Sequence, residues 1–480
     1  MLKRNFKNQI PEIVIQIANK ISQSNSWVAL VGGVCIDFLQ EKTPKDFDLE
    51  VYGSSYEDLV TLLKDYDPKT VGKQFGIIKL SAKKTEGLDI DVSIPRTENK
   101  IGVSHKDFAC NLDPNMDPKT AAKRRDFTVN SLYISMSPGE DQYQIIDHYG
   151  GLNDLSNRLL SATCPSTFVE DPLRALRAMQ LSARKNLMVD TSTMMLIQGM
   201  VDQFEYLSKE RVYTEFEKLF LMAEKPSIGL EFLHYSKWIV HFPELHNLIG
   251  CNQNPDWHPE GDVWEHTLCV ADETALARDK VRDEWRTAFV FGAILHDVGK
   301  PQTTVTPQMV ANDLFPKSRL WTAWGHAEAG EIPARTFLQR LTANKDLIDK
   351  ATTIVTQHMQ PFHLFDGQAK TPAWKRLHNK IPLDIIGMMS KCDACGNHNK
   401  TIADPDLEHE ISEKCFSLYA DLGNQPVTQL VQGRHLIAKG HKPGPNFGPV
   451  LKQIYDLQIE DETLTLENLI EKADVLLKQH

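Results

Sequence analysis

The chain has 480 residues, a mass of 54.4 kDa and a formal net charge of −11, with 41% hydrophobic and 24% charged side chains. This is globular rather than disordered composition, and the length is enough for about three or four domains. The acid excess leans toward the C-terminal half; it excludes a uniformly basic nucleic-acid coat but leaves room for a local basic track.

The N-terminus, MLKRNFKNQIPEIV, carries two early cations without the apolar run of a signal peptide. VALVGG, FDLEVYG, IIKLSA and LDIDVSI read as short strands, and SYEDLVTLLKDY between them has helical spacing. Residues 1–150 are therefore expected to form an α+β head, a mixed sheet with helices. From about residue 165 the pattern turns helical, in DPLRALRAMQLSARKNL, ERVYTEFEKLFLMAEK and VWEHTLCVADETALARDK. The polar, Pro-rich stretch CNQNPDWHPEGD at 251–262 reads as a boundary. All-α regions are expected over 151–250 (a neck), 251–400 and 401–480 (a tail). No apolar run reaches the roughly eighteen residues of a membrane span. The eight cysteines are scattered singly apart from Cys392 and Cys395. A chain of this size does not need disulfides, so reduced thiols and a cytoplasmic location are expected.

Chemistry concentrates first in VGGVCIDFLQEKTPKDFDLEVYG. Gly32 and Gly33 follow an apolar strand and can let a phosphate approach the backbone. Asp46 and Asp48 are two apart in a strand, so both carboxylates face one side. Such a pair suits Mg²⁺ beside a triphosphate. Asp89 and Asp91 in LDIDVSIPR offer a third acid, which would complete a two-metal site. In KTAAKRRDFTVNSLYI, Arg124, Arg125 and Asp126 open an amphipathic stretch with Asn130 one turn later. The guanidiniums could hold phosphates bidentately, and Asp126 and Asn130 could bond a ribose hydroxyl.

These segments resemble the superfamily of class II tRNA nucleotidyltransferases and bacterial poly(A) polymerases. VGG…PKDFDLEV is similar to its Gly-Gly/DxD motif and RRDFTVNSL to its RRDxxxN motif. FVEDPLRALRAMQLSARKNL resembles its EDxLR segment and ERVYTEFEKLFL its ERxxxExxKLL helix. The resemblance runs collinearly from about residue 28 to 225. It implies catalytic Mg²⁺ on Asp46 and Asp48, with Asp91 as the third acid. It also implies base selection by Glu170, Asp171 and Arg174. A carboxylate accepts from the exocyclic amine that C and A share, while U and G would leave a buried polar group unpaired. Arg177, with Arg184 and Lys185, extends a basic stripe that could meet phosphate. One departure stands out: where the family reads GGxVRD, Ile36 replaces the cation, so triphosphate contact would pass to another residue such as Arg96.

VGKQFGIIKL stands where poly(A) polymerases of this type carry a basic GRRFRL-like strand, and it resembles the CCA-adding branch. The implied partners are the tRNA 3′ end, CTP and ATP. Addition of A only or of CC only shares the same motifs and stays open, as does a poly(A) polymerase.

A second constellation follows. His266 lies in WHPEGDVWEHTLCV; His296 and Asp297 are adjacent in FGAILHDVGKPQT, read as lying inside an apolar helix and just before Gly299-Lys300. His326, His358 and Asp393 come later. A mixed imidazole and carboxylate set suits Mn²⁺, Fe²⁺, Ni²⁺, Mg²⁺ or Zn²⁺. The order resembles the HD phosphohydrolase domain over about 258–400. That implies His266, His296, Asp297 and Asp393 as metal ligands, with Lys300, His326 and His358 as auxiliary residues. In CCA-adding enzymes of this arrangement the domain implies phosphatase and 2′,3′-cyclic phosphodiesterase activity in tRNA end repair. A rival reading makes this the working site and the head an inactive nucleotide- or RNA-binding module. Cys392 and Cys395 lack the second pair that a zinc knuckle needs.

In the tail, GRHLIAKGHKPGPNFGPVLKQIYDLQ is similar to the end of bacterial CCA-adding enzymes. The run from Leu422 to Tyr455 has no acid but includes Arg434, Lys439, Lys442 and Lys452, a patch able to meet RNA phosphates or simply an acid-poor docking module. The oligomeric state stays open between monomer and homodimer.

Overall fold

Period-two alternation builds the sheet of the head. In the computed structural model, which describes residues 5–70, 76–100, 108–255, 257–395, 405–423, 425–461 and 463–478, strand β2 spans Asp46–Tyr52. Phe47, Leu49 and Val51 are buried on one face of β2, which leaves Asp46, Asp48 and Glu50 for the other. Strand β4, Asp89–Ser93, alternates in the same way around Ile90 and Val92.

The other strands are β1 (Trp27–Val31), β3 (Ile77–Lys79), β7 (Tyr133–Ser135) and β8 (Ile145–Ile146), in the sheet order β3-β4-β2-β1-β7-β8. Only β2 and β4 run parallel; the other neighbours are antiparallel. Strands β5 (Arg96–Lys100) and β6 (Phe108–Leu112) form a separate ribbon. The apolar face packs with Ile13, Val14, Ile17, Ala18 and Ile21 of the helix Glu12–Ser22, all buried. Each aliphatic side chain so removed from water contributes about 1.5–3 kcal/mol. Burial, more than intrinsic propensity, thus holds so short a helix.

The chain divides into two compact units, 1–219 with 228–241, and 220–227 with 242–480. Beyond the sheet and the β5–β6 ribbon, the described part of the first unit is mainly helical, with a two-residue parallel pair between Leu159–Leu160 and Met188–Val189. Its helix Leu173–Lys185 ends at Asn186, whose left-handed φ of 53° stops the helix. The second unit is built of helices, among them Val263–Ala277, Asp283–Leu295, Lys345–Gln357 and Leu383–Cys395. Its last segment gathers Val431, Leu436, Val450, Ile454, Leu469 and Ala473 into a small core of its own. Among the described residues no helix is long and apolar enough to cross a membrane.

The expected fold class, a mixed-sheet head followed by helices, agrees with this architecture. Two local expectations do not. The RRD stretch is no continuous amphipathic helix: a helix ends at Lys123, Phe127 is extended, and Thr128–Ser131 is a single 3₁₀ turn. His296 and Asp297 lie past the C-terminal end of the helix Asp283–Leu295, not inside it. Of the VGKQFGIIKL run, residues 71–75 lie outside the described residues, as does the Cys395 side chain.

Candidate active sites

The parallel register of β2 and β4 sets Asp46 against Asp89 and Asp48 against Asp91. Carboxylates that are 43 residues apart in sequence thereby share one face of the sheet. Lys79 Nζ lies 3.3 Å from Asp89 Oδ1, whereas Asp91 Oδ1 is buried with no hydrogen-bond partner. Asp91 is thus the better third acid of the two. Partial loss of water pushes the Asp48 carboxyl up to about 6, with Asp91, Asp46 and Glu50 adding to the rise and Arg125 opposing it. Desolvation, with Asp89 and Asp46, raises Asp91 against the pull of Lys79. Mutually repelling carboxylates with an orphaned oxygen fit a divalent cation.

Gly32 has φ +77°, and a Cβ there would stand 3.6 Å from Asp48 Oδ2, while one on Gly33 would meet open space. The turn thus leaves its backbone accessible beside the carboxylates. Ile36, in the helix that follows this turn, is fully buried. Arg96 opens β5, in the separate ribbon.

Beneath the acids lies a group that sequence reading overlooked. Buried Glu50 accepts from Tyr52 Oη at 2.7 Å, Tyr133 Oη at 3.2 Å and Arg125 Nη2 at 3.2 Å, with Arg124 Nη2 at 3.5 Å. Burial raises the Glu50 carboxyl, but the two arginines outweigh it and hold it low. Arg125 also lies over the Tyr133 ring. Its guanidinium is directed inward to Glu50, and of the phosphate-holding pair the Arg124 side chain is the more exposed, 27% against 17%.

Asp126 and Asn130 do meet. Asp126 Oδ1 accepts from Asn130 Nδ2 at 3.0 Å and from its neighbour Phe127 N at 2.8 Å, and Oδ2 from Arg177 Nε at 2.6 Å. Burial works upward on the Asp126 carboxyl; Arg177 and Asn130 prevail and keep it low. Asp171 Oδ1 accepts from Leu173 N at 3.1 Å and Oδ2 from Arg211 Nη2 at 2.8 Å. Arg211, from the ERVYTEFEKLF helix, is a second partner that sequence reading did not single out. Arg174 donates to the carbonyls of Thr167 at 2.8 Å and Arg124 at 2.6 Å. Glu170 is exposed. Of the basic stripe, Lys185 is buried against Asp37, and Arg184 donates to Gln180.

The second unit brings its histidines from within one helix, Val263–Ala277, and from the ends of three others. His296, His326 and His358 each turn Nδ1 to the carbonyl three residues back (Ala293, Ala323, Val355), all at 2.7 Å. A carbonyl only accepts, so Nδ1 carries the proton and Nε2 offers a lone pair inward. His266 Nε2 lies 2.9 Å from Asp393 Oδ1, and His296 Nε2 3.2 Å from Asp297 Oδ2. His326 Nε2 lies 3.3 Å from Asp297 Oδ1 and 3.0 Å from His358 Nε2. Lys300 Nζ is 2.7 Å from Asp297.

His296 Nε2 and both Asp297 oxygens are buried, and their close neighbours are ionic: Lys300 Nζ, His296 Nε2 and His326 Nε2 ring the Asp297 carboxylate at 2.7, 3.2 and 3.3 Å. Burial disfavours charge on His296, yet Asp297 and Asp393 push its imidazole up to about 10. Burial, with His326 and His296 nearby, drives His358 down to about 3. The centre demands a positive charge between its carboxylates, and the donor set fits a divalent transition ion. Gly299 makes this packing possible, since a Cβ there would fall 2.0 Å from the His326 carbonyl oxygen. Glu260, from the stretch read as a boundary, was not anticipated. Its Oε1 lies 2.8 Å from both His266 Nδ1 and His258 Nδ1 and orients the former.

Comparisons with known proteins point the same way. The family described as "Poly A polymerase head domain" matches residues 28–161, and "Probable RNA and SrmB- binding site of polymerase A" matches 186–249. The chain is 30% identical over 381 residues to the "Multifunctional CCA protein" of Shewanella denitrificans, covering 76% of this chain and 83% of that protein. It is 32% identical to the protein of the same description from Pasteurella multocida, over 72% of this chain and 76% of the other. The CCA-adding enzyme of Bacillus stearothermophilus in complex with CTP shares the fold at a TM-score of 0.65 and 18% identity, over 98% of this chain and all of that one. Identity of this level along most of two curated relatives decides the family: the chain belongs to the class II CCA-adding enzymes.

Proposed function

We propose that this chain adds C, C and A to tRNA 3′ ends from CTP and ATP, and that its second site hydrolyses phosphoesters. The register that gathers Asp46, Asp48 and Asp91 beside the Gly32 turn carries the first reading. Asp46, Asp48 and Asp91 would hold Mg²⁺. Bound there, it would favour ionisation of the tRNA 3′ hydroxyl and neutralise charge on the triphosphate. In the transfer, the 3′ oxygen bonds the α-phosphorus, the bond to the β-phosphate bridge breaks, and pyrophosphate leaves. Arg124 would meet phosphate. The Asp126–Asn130–Arg177 group holds a preset polar edge for the ribose. Asp171, fixed by Arg211 and Leu173 N, keeps lone pairs for the exocyclic amine of C or A, while Arg174 keeps donors for the adjacent ring acceptor. Glu170 stands at the edge of this pair.

The buried Asp297 carboxylate, ringed by His296, His326 and Lys300, supports the second reading. His266, His296, Asp297 and Asp393 would hold Ni²⁺, Mn²⁺ or Mg²⁺, which when bound would supply an activated water for attack on phosphorus. Lys300, His326 and His358 would bind the phosphate. This activity would act as phosphatase or 2′,3′-cyclic phosphodiesterase in end repair.

Incorporation of labelled CTP and ATP, separately and together, into tRNA ending before CCA tests the first reading. Ordered CCA is the expected product. Long A-tails would make the enzyme a poly(A) polymerase. No incorporation with hydrolysis intact would leave the head as a binding module.

A further inference from the structure

Three cations of the helix Leu173–Lys185 tie it to the head. Arg174 donates to the Arg124 carbonyl at 2.6 Å, and Arg177 to Asp126 at 2.6 Å. The third, Lys185, is the last residue of the helix and only 7% exposed. Its Nζ donates to Asp37 Oδ1. At about 100° per residue, Lys185 comes round to within about 20° of Arg174, so one side of the helix carries all three.

The link at Lys185 is double. Gln40 Nε2 donates to the Lys185 carbonyl at 3.0 Å, one of the last carbonyls that a helix leaves without an internal partner. Asp37 and Gln40 belong to one element: the helix Gly33–Leu39 starts directly after the Gly32 turn, and Gln40 caps its end. Asp37 is the one charged residue of that helix, among the buried Val34, Cys35, Ile36 and Phe38. The turn beside Asp48 and the helix that carries Arg174 are therefore joined by a pair 148 residues apart in sequence.

The departure at Ile36 gives this pair a second meaning. Ile36 stands where the family reads a cation next to the acid, and it is fully buried. The cation beside Asp37 comes from Lys185 instead. A buried ion pair adds little net stability over an apolar pair of the same shape, yet losing one partner is costly, so the pair holds a single geometry.

That geometry spans two recognition groups. The N-terminal end of the helix bears Arg174 and follows Asp171, and its C-terminal end is fixed to the element that opens at the Gly32 turn. Its 13 residues form an arm about 20 Å long, so a shift at Lys185 is carried to Arg174.

We propose that Lys185 and Asp37 are a positioning pair for nucleotide selection: they lock the base-selecting helix to the Gly32 turn, so that the base edge is read while the α-phosphate lies beside Asp46 and Asp48. The proposal rests on the transfer reading above; the coupling of the two ends rests on the pair itself.

The test uses the full chain and tRNA ending before CCA. Incorporation of CTP is compared with UTP, and of ATP with GTP. Lys185→Met keeps the length of the side chain and removes its charge. It should lower both preference ratios about ten-fold, through kcat for the correct nucleotide more than through its KM, because alignment rather than contact is lost. Lys185→Arg should keep most of the preference. Asp37→Asn should reproduce Lys185→Met, and the double variant should be no worse than either single one, the mark of two residues acting as one group. A pair that served stability alone would reduce the active fraction and slow all four nucleotides alike, leaving the ratios where they were. Circular dichroism checks folding. Asp37 is 22% exposed, so Asp37→Asn keeps the test open where Lys185→Met does not fold. Unchanged ratios in a folded single variant, or additive losses in the double variant, overturn the proposal. Calorimetry with CTP and UTP separates it from the transfer reading. A wild-type preference for CTP that the variants lose, with no nucleotide incorporated, would overturn transfer and leave the positioning pair standing; equal binding of CTP and UTP by a wild type that incorporates nothing would overturn both.

Discussion

Asp48 illustrates how a single side chain couples metal and proton. Its carboxyl is raised to about 6 by desolvation and by Asp91, Asp46 and Glu50. Below that pH it is mostly protonated and gives up a ligand oxygen. Transfer at limiting Mg²⁺ should therefore fall as pH drops through about 6, and added Mg²⁺ should restore it, because cation and proton compete. The linkage has the sign of a raised acid. The unfolded chain releases this proton near 3.9 and the metal-free fold only near 6. The metal-free fold thus loses stability as pH climbs through that window, and Mg²⁺ offsets the loss. The rise in Tm on adding Mg²⁺ should be larger above pH 6 than below it. An equal rise at both would remove Asp48 from the ligand set.

At the scale of elements, Glu50 and Gly299 hold their surroundings in place. Glu50 shares a strand face with Asp46 and Asp48 and faces Arg125 from the RRD segment. Glu50→Ala leaves that guanidinium uncompensated in a largely buried place, at a cost of about 3 kcal/mol. A lowered first transition in thermal unfolding checks this, and an unchanged one would mean that water replaces Glu50. Gly299→Ala must push the His326 carbonyl away and displace its imidazole from Asp297. Phosphoester hydrolysis should drop about a hundred-fold, a typical effect of misplacing a group by about 1 Å. Nucleotide transfer, measured on the same preparation, should remain.

For the whole molecule, two sites in two separately compact units predict separable activities. Asp46→Ala should lower transfer by about three orders of magnitude and spare hydrolysis, while Asp297→Ala should do the reverse. Loss of both activities from either change, in a folded chain, would refute the two-site account. The net charge of −11 also gains meaning. Part of the acid excess lies in clustered carboxylates proposed to hold cations, and Arg434, Lys439, Lys442 and Lys452 are exposed on the tail. Affinity for tRNA should fall steeply with salt, and Lys439→Ala with Lys442→Ala should lower the log–log slope by about two. An unchanged slope would return these lysines to plain solvent.

Strand periodicity made the head readable. Apolar residues alternate with acids in FDLEV and DIDVS, so the face bearing Asp46, Asp48 and Asp91 follows from a repeat of two, a local property. The HDVGK run was equally readable as chemistry, since adjacent His296 and Asp297 announce a mixed donor set wherever they fold. The sequence by itself therefore determined the fold class and most of the residues that gather in the two sites. Tertiary structure decided their partners. That Asp48 stands opposite Asp91 depends on parallel register between strands with a long connection, which no spacing in the chain encodes. That Arg125 turns inward to Glu50, Asp171 is fixed by Arg211, and Glu260 leaves an apparent linker to orient His266 depends on which elements pack together. Local patterns fix the side on which a residue lies; long-range packing fixes what it meets there, because contact energies between distant segments leave no periodic trace in either one.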